Sequence, residues 1–84
     1  MCTNGINANQ LVGTVEQIDE AVALCRRWTH RAYHSADDAQ LIKTAATLEQ
    51  ALSLLDEVRA LLDEAGELAL KEARSADGVT VKAV

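Results

Sequence analysis

Proline and phenylalanine are absent from the 84 residues, and glycine occurs only at Gly5, Gly13, Gly66 and Gly78. Without proline no helix is forced to break, and so few glycines leave long helices almost uninterrupted. Trp28 and Tyr33 are the only aromatic residues, and fifteen of the apolar residues are Ala, which buries little area. At ~25 cal/mol per Å² of apolar surface, an Ala-rich core of this length is marginal alone, so self-association is the expected remedy. Cysteine is also scarce. Cys2 and Cys25 form no disulfide framework and are expected to be free thiols in a reducing compartment.

Long apolar runs are missing too. None approaches the ~18 residues that would span a bilayer, and MCTNGINANQ has no positive region followed by an apolar one, as a secretory signal would. A net charge of -5 and a pI near 4.8 argue against duplex nucleic acid as a partner, which calls for a basic face. A cytoplasmic protein with no membrane partner is expected.

What is present is helical periodicity. Leu11, Val15, Ile18, Val22, Cys25, Thr29 and Ala32 follow a 4-3 spacing that draws one stripe along a helix. Asn7 or Asn9 can cap its start, which places a first helix at 9–33. Ser35-Ala36-Asp37-Asp38 then reads as a new N-terminus, with Ser35 as cap and Asp38 as the capping-box acid. The second helix is placed at 36–75. So short a junction favours an antiparallel hairpin over one straight helix. Residues 1–8 and 77–84 are expected to be flexible flanks of a 9–76 hairpin domain.

The second helix carries two apolar tracks. One is Leu41, Ala45, Leu48, Leu52, Leu55, Leu62 and Ala69; the other is Thr47, Ala51, Leu54, Val58, Leu61, Ala65 and Leu68. A hairpin partner needs only one track, so two suggest two neighbours. Length points the same way. At 1.5 Å per residue the helices measure about 37 Å and about 60 Å, leaving Leu61, Leu62, Leu68 and Leu70 to overhang. The expected fold is therefore all-α: an antiparallel hairpin, short first helix and long second helix, assembled into a homo-oligomeric bundle. Leu54, Val58, Leu61, Leu62, Ala65 and Leu68 form the expected oligomer interface. A bend at Gly66, folding 67–76 back as a third helix in a monomer, is the alternative.

Unusual chemistry is confined to residues 26–34, RRWTHRAYH. They hold both histidines, Trp28, Tyr33 and three of the eight Lys/Arg residues, and no acid occurs between Glu20 and Asp37. Arg26, Arg27, Trp28, His30, Arg31, Tyr33 and His34 are the candidate binding residues: arginines offer forked donors and the aromatics a stacking face. The bland explanation is that cations near a helix C-terminus simply answer its macrodipole. His30 and His34 are spaced to chelate a metal, but Arg31 stands where a zinc hydrolase would need Glu, so no metal site is assigned. Nothing supplies a nucleophile with an oriented base, and no catalytic residue or cofactor is assigned. The expected function is a non-enzymatic adaptor, inhibitor or regulator that contacts another protein. The alternative is binding of a small anionic, nucleotide-like ligand.

Overall fold

A computed structural model describes residues 7–83, with side chains described through Arg74. Two helices, α1 (Ala8–Asp38) and α2 (Ile42–Ala83), fold back on one another as a rod 66 Å long and 18 Å across. Their packed lengths are similar, about 31 and about 33 residues, and not short followed by long. Of the flexible flanks expected at 1–8 and 77–84, residues 1–6 and Val84 lie outside the described residues; the backbone is helical at Ala8 and over 77–83.

The difference in length comes from the turn. Asn7 caps α1 as expected: its side chain accepts from the Gln10 amide at 2.8 Å, and the Gln10 side chain accepts from the Asn7 amide at 3.4 Å. This capping box satisfies two of the four amides that a helix start leaves open. At the other end the helix runs through Ser35, so Ser35-Ala36-Asp37-Asp38 closes α1 and does not open α2. The reversal occupies Ala39–Leu41. Gln40 adopts φ 63°, its amide donates to the Asp37 carbonyl (3.0 Å), and the Leu41 amide donates to the Ala36 carbonyl (2.9 Å). That pair of bonds is a Schellman closure, which usually employs glycine at the left-handed position. With Gln there, the composition carried no turn signal.

Helix α1 meets α2 through Ala8, Val12, Val15, Asp19, Val22, Arg26, Thr29, Tyr33 and Ala36. The facing residues are Ala45, Leu48, Leu52, Leu55, Arg59, Leu62, Gly66, Ala69 and Ala73. Both series alternate by three and four, the repeat of antiparallel coiled-coil packing. The stripe expected on the first helix is thus rotated by one residue at alternate positions. Val12, Asp19, Arg26 and Tyr33 take the seam in place of Leu11, Ile18, Cys25 and Ala32. Asp19 and Arg26 are tolerated there because each meets an opposite charge across the seam. Thr29 fits because its hydroxyl donates to the Cys25 carbonyl at 2.7 Å, which satisfies it locally.

With the turn at Ala39–Leu41, α1 covers α2 as far as Ala73, and the expected overhang disappears. Leu62 lies in the intramolecular seam and not on an outer surface. Helix α2 continues through Gly66 without interruption, so no third helix forms among the described residues. The rod nevertheless has almost no core. Among the described hydrophobic residues only Ala36, Ala45 and Leu52 are buried, at 6%, 6% and 8% exposure.

The two long sides of the rod differ. In an antiparallel pair, residues at the same offset from the seam fall on the same side. Positions one before the seam include Leu11, Ile18, Ala21, Cys25, Trp28 and Ala32 on α1 and Ala51, Leu54, Val58, Leu61, Ala65 and Leu68 on α2, with Thr14, Ser35, Thr44 and Thr47 among them and Glu72 the one acid. Positions one after include Glu16, Glu20, Arg27, His30, His34 and Asp37, then Glu49, Asp56, Asp63 and Glu67, with Ala23, Ala46, Ala60 and Leu70 between them. Two surface grooves follow this sidedness in part: one is lined by Leu11, Ala65 and Leu68 with Glu72, the other by Glu16, Glu20, Asp63 and Glu67 together with Val12, Val15, Leu62 and Leu70. No helix among the described residues is long and apolar enough to cross a membrane.

Candidate functional site

The 26–34 segment lies within α1, and its last residue is followed by a full further turn that ends in Asp37 and Asp38. The last turn of α1 therefore contains no basic residue, and its two acids oppose the macrodipole. The dipole consequently does not account for the cations of this segment.

The seven candidate residues are divided among several surfaces. Arg26 points into the seam, where Nε donates to Asp56 Oδ1 at 2.6 Å and Nη2 to Oδ2 at 3.4 Å. This forked pair engages its guanidinium within the hairpin. Tyr33 is half-buried at the seam, with its ring centroid 5.4 Å from that of His34. Arg27, His30 and His34 are exposed on the charged side. Trp28 is 59% exposed on the apolar side, and the Arg31 guanidinium carbon lies 4.8 Å from its ring centre. That is a cation–π stack on the outer flank of α1.

His30 and His34 are brought together. Their Nε2 atoms lie 3.0 Å apart and their rings meet edge-on with centroids 4.5 Å apart. A bond of this kind needs one N–H and one lone pair, so one ring donates while the other accepts. Neither Asp37 nor Asp38 joins them: no group of three or more His, Cys, Asp or Glu side chains able to hold a metal occurs among the described residues.

A second forked pair, absent from the sequence reading, joins Arg59 to Asp19: Nε to Oδ1 at 3.0 Å and Nη2 to Oδ2 at 3.2 Å. The Arg59 hydrogen bond holds the Asp19 carboxyl below its ordinary value against an opposing effect of desolvation, and the Arg59 charge adds to the lowering. The Arg26 hydrogen bond likewise lowers Asp56, and the bond to Asp19 raises Arg59. A signal for both pairs was in the sequence. Asp then Arg in α1, at 19 and 26, answers Asp then Arg in α2, at 56 and 59, which is the charge order that an antiparallel pairing can match.

Of the expected interface residues, Leu54, Val58, Leu61, Ala65 and Leu68 are exposed along the apolar side. Cys25 is a free, exposed thiol on the same side; Cys2 lies outside the described residues. Comparison with protein-family models, curated proteins and solved structures finds no match to the chain.

Proposed function

We propose that this chain is a non-enzymatic binding protein that works as a homo-oligomer. In this reading the exposed cations of residues 26–34 contact an acidic surface on another protein. One observation carries it: Arg27 and Arg31 reach solvent with no carboxylate bonded to them among the described residues, whereas Arg26 and Arg59 are both paired. In an acidic chain, unanswered arginines on a rigid helix are available to a partner at little cost in ordering.

The test is the double substitution Arg27→Glu and Arg31→Glu, followed by pull-down with mass spectrometry against the unsubstituted chain. Partner capture is expected to disappear while the helical circular dichroism and the oligomer size stay unchanged. Loss of helicity or of assembly in the double variant would return both arginines to a structural role.

A second reading rests on the Arg31–Trp28 stack, a platform on which a small nucleotide-like anion could lie. Quenching of Trp28 fluorescence by nucleoside phosphates tests it, and an unchanged emission across the series counts against it.

A further inference from the structure

The apolar side of the rod needs an occupant, and its chemistry restricts what that occupant is. Leu54 and Leu61 are 60% and 63% exposed, Ile18 and Leu68 43–44%, and Val58 39%. Burying a side chain of this kind is worth about 1.5–3 kcal/mol, and monomeric soluble proteins rarely leave so many in one strip. From Leu11 to Ala32 the strip runs about 32 Å along the helix at 1.5 Å per residue. Across the 18 Å width, that is roughly 570 Å², close to the lower end of the ~600–800 Å² per partner of small to standard stable interfaces.

Charge then selects the partner and its direction. In the half away from the turn, residues 7–21 and 57–74, eight carboxylates outnumber three cations. In the turn half, residues 22–56, four carboxylates balance four cations, and both histidines lie there. Two copies packed with their turns together would set acidic half against acidic half. Packed with their turns at opposite ends, each acidic half lies beside the other copy's electrically balanced half. Like charges within a Debye length of about 8–10 Å repel, so the second arrangement is favoured.

We infer that the occupant is a second copy of this chain, lying antiparallel along the apolar side, so that two hairpins close a four-helix bundle with α1 facing α1. This rests on the homo-oligomer reading above and gives it a surface and a direction. The charged sides, with Arg27, His30 and His34, remain on the outside of the bundle.

The experiment has two arms. Light scattering at micromolar concentration is expected to return twice the 9.0 kDa chain mass. Leu61→Glu, on the apolar side, is expected to reduce this to the single mass. Leu70→Glu, a similarly large apolar residue at the acidic groove on the other side, is expected to leave the doubled mass. A monomeric parent chain would overturn the homo-oligomer reading together with this assignment, whereas a doubled parent whose variants both dissociate or both stay associated would overturn the assignment alone. The second arm fixes direction with a spin label at Lys43→Cys in a chain carrying Cys2→Ser and Cys25→Ala. Lys43 lies about 25 Å along the axis from the middle of the strip, so antiparallel copies separate the labels by about 50 Å. Turns at the same end would bring them within about 25 Å, given interaxial distances of 8–10 Å, and would overturn the orientation. Neither arm involves the partner bound by Arg27 and Arg31, so failure here and failure of the binding reading are separately visible.

Discussion

The two long sides of this hairpin flank the same seam and are built from the same two helices, yet they were filled by different residue classes. The apolar side carries Leu11, Ile18, Cys25, Leu54, Leu61 and Leu68. The charged side carries Glu16, Glu20, Arg27, His30, Asp63 and Glu67. A lone two-helix rod has no physical reason for this division, because both sides would meet water equally. Solvated helices scatter isolated apolar residues without explanation; a continuous strip on matching positions of two helices is a different observation. The comparison teaches that the seam alone buries little, and that the apolar side is where the second copy proposed above would pack.

The largest expected effects test whether the apolar side behaves as surface or as core. Leu52→Ala, at the most buried leucine of the seam, is expected to cost about 2–3 kcal/mol in chemical denaturation. Leu54→Ala is the informative companion. On a solvated side it would change stability by less than about 0.5 kcal/mol; covered by a second copy it is expected to cost about 1.5 kcal/mol or more, with a midpoint that rises with protein concentration. Next comes Gly66→Ala on the charged side of the seam. A Cβ there meets nothing within 4 Å and the backbone is helical, so the substitution is expected to raise stability by about 0.5–1 kcal/mol. A loss would mean that the acidic groove is closed by something that needs the space. Asp38→Lys removes an acid from the wrong end of the α1 dipole and is expected to add about 0.3–1 kcal/mol, read as a higher melting temperature that falls back with salt.

The smallest effect is on acid stability, because the two ion pairs are partly solvated. Asp19 and Asp56 titrate in the folded state below their ordinary 3.8. Their contribution is therefore complete above that value and is lost as pH falls through the lowered folded values. Denaturation followed downward from about pH 5 is expected to show a declining midpoint that is flatter in the Asp19→Asn, Asp56→Asn chain. An equal slope in both chains would show that the pairs contribute nothing.

Much of the hairpin was legible in the sequence, for identifiable reasons. Ala45, Leu48, Leu52, Leu55, Leu62 and Ala69 are apolar and evenly spaced, so the α2 seam could be read directly. The α1 seam was rotated because Asp19 and Arg26 occupy it, and a count of apolar residues places such side chains outside. The turn was set five residues early: Ser-Ala-Asp-Asp imitates a helix start, whereas the real reversal uses Gln40 in a conformation that glycine normally marks. That error also created the overhang and tied the 26–34 cations to a helix end they do not occupy. Composition singled out Arg27, Trp28, His30, Arg31 and His34, all of which are exposed. Their distribution around the helix required the correct seam.

The central claim is that the apolar side is covered by a second copy while the charged side stays open. Cys25 reports on it directly, being a free thiol on that side that is exposed in the single hairpin. In a Cys2→Ser chain, the rate of Cys25 modification by a thiol reagent is to be followed from nanomolar to high micromolar protein. The account predicts that the rate falls with the appearance of the doubled mass, by about tenfold or more at saturation, since access limits thiol chemistry. A rate that stays constant across that range would contradict it.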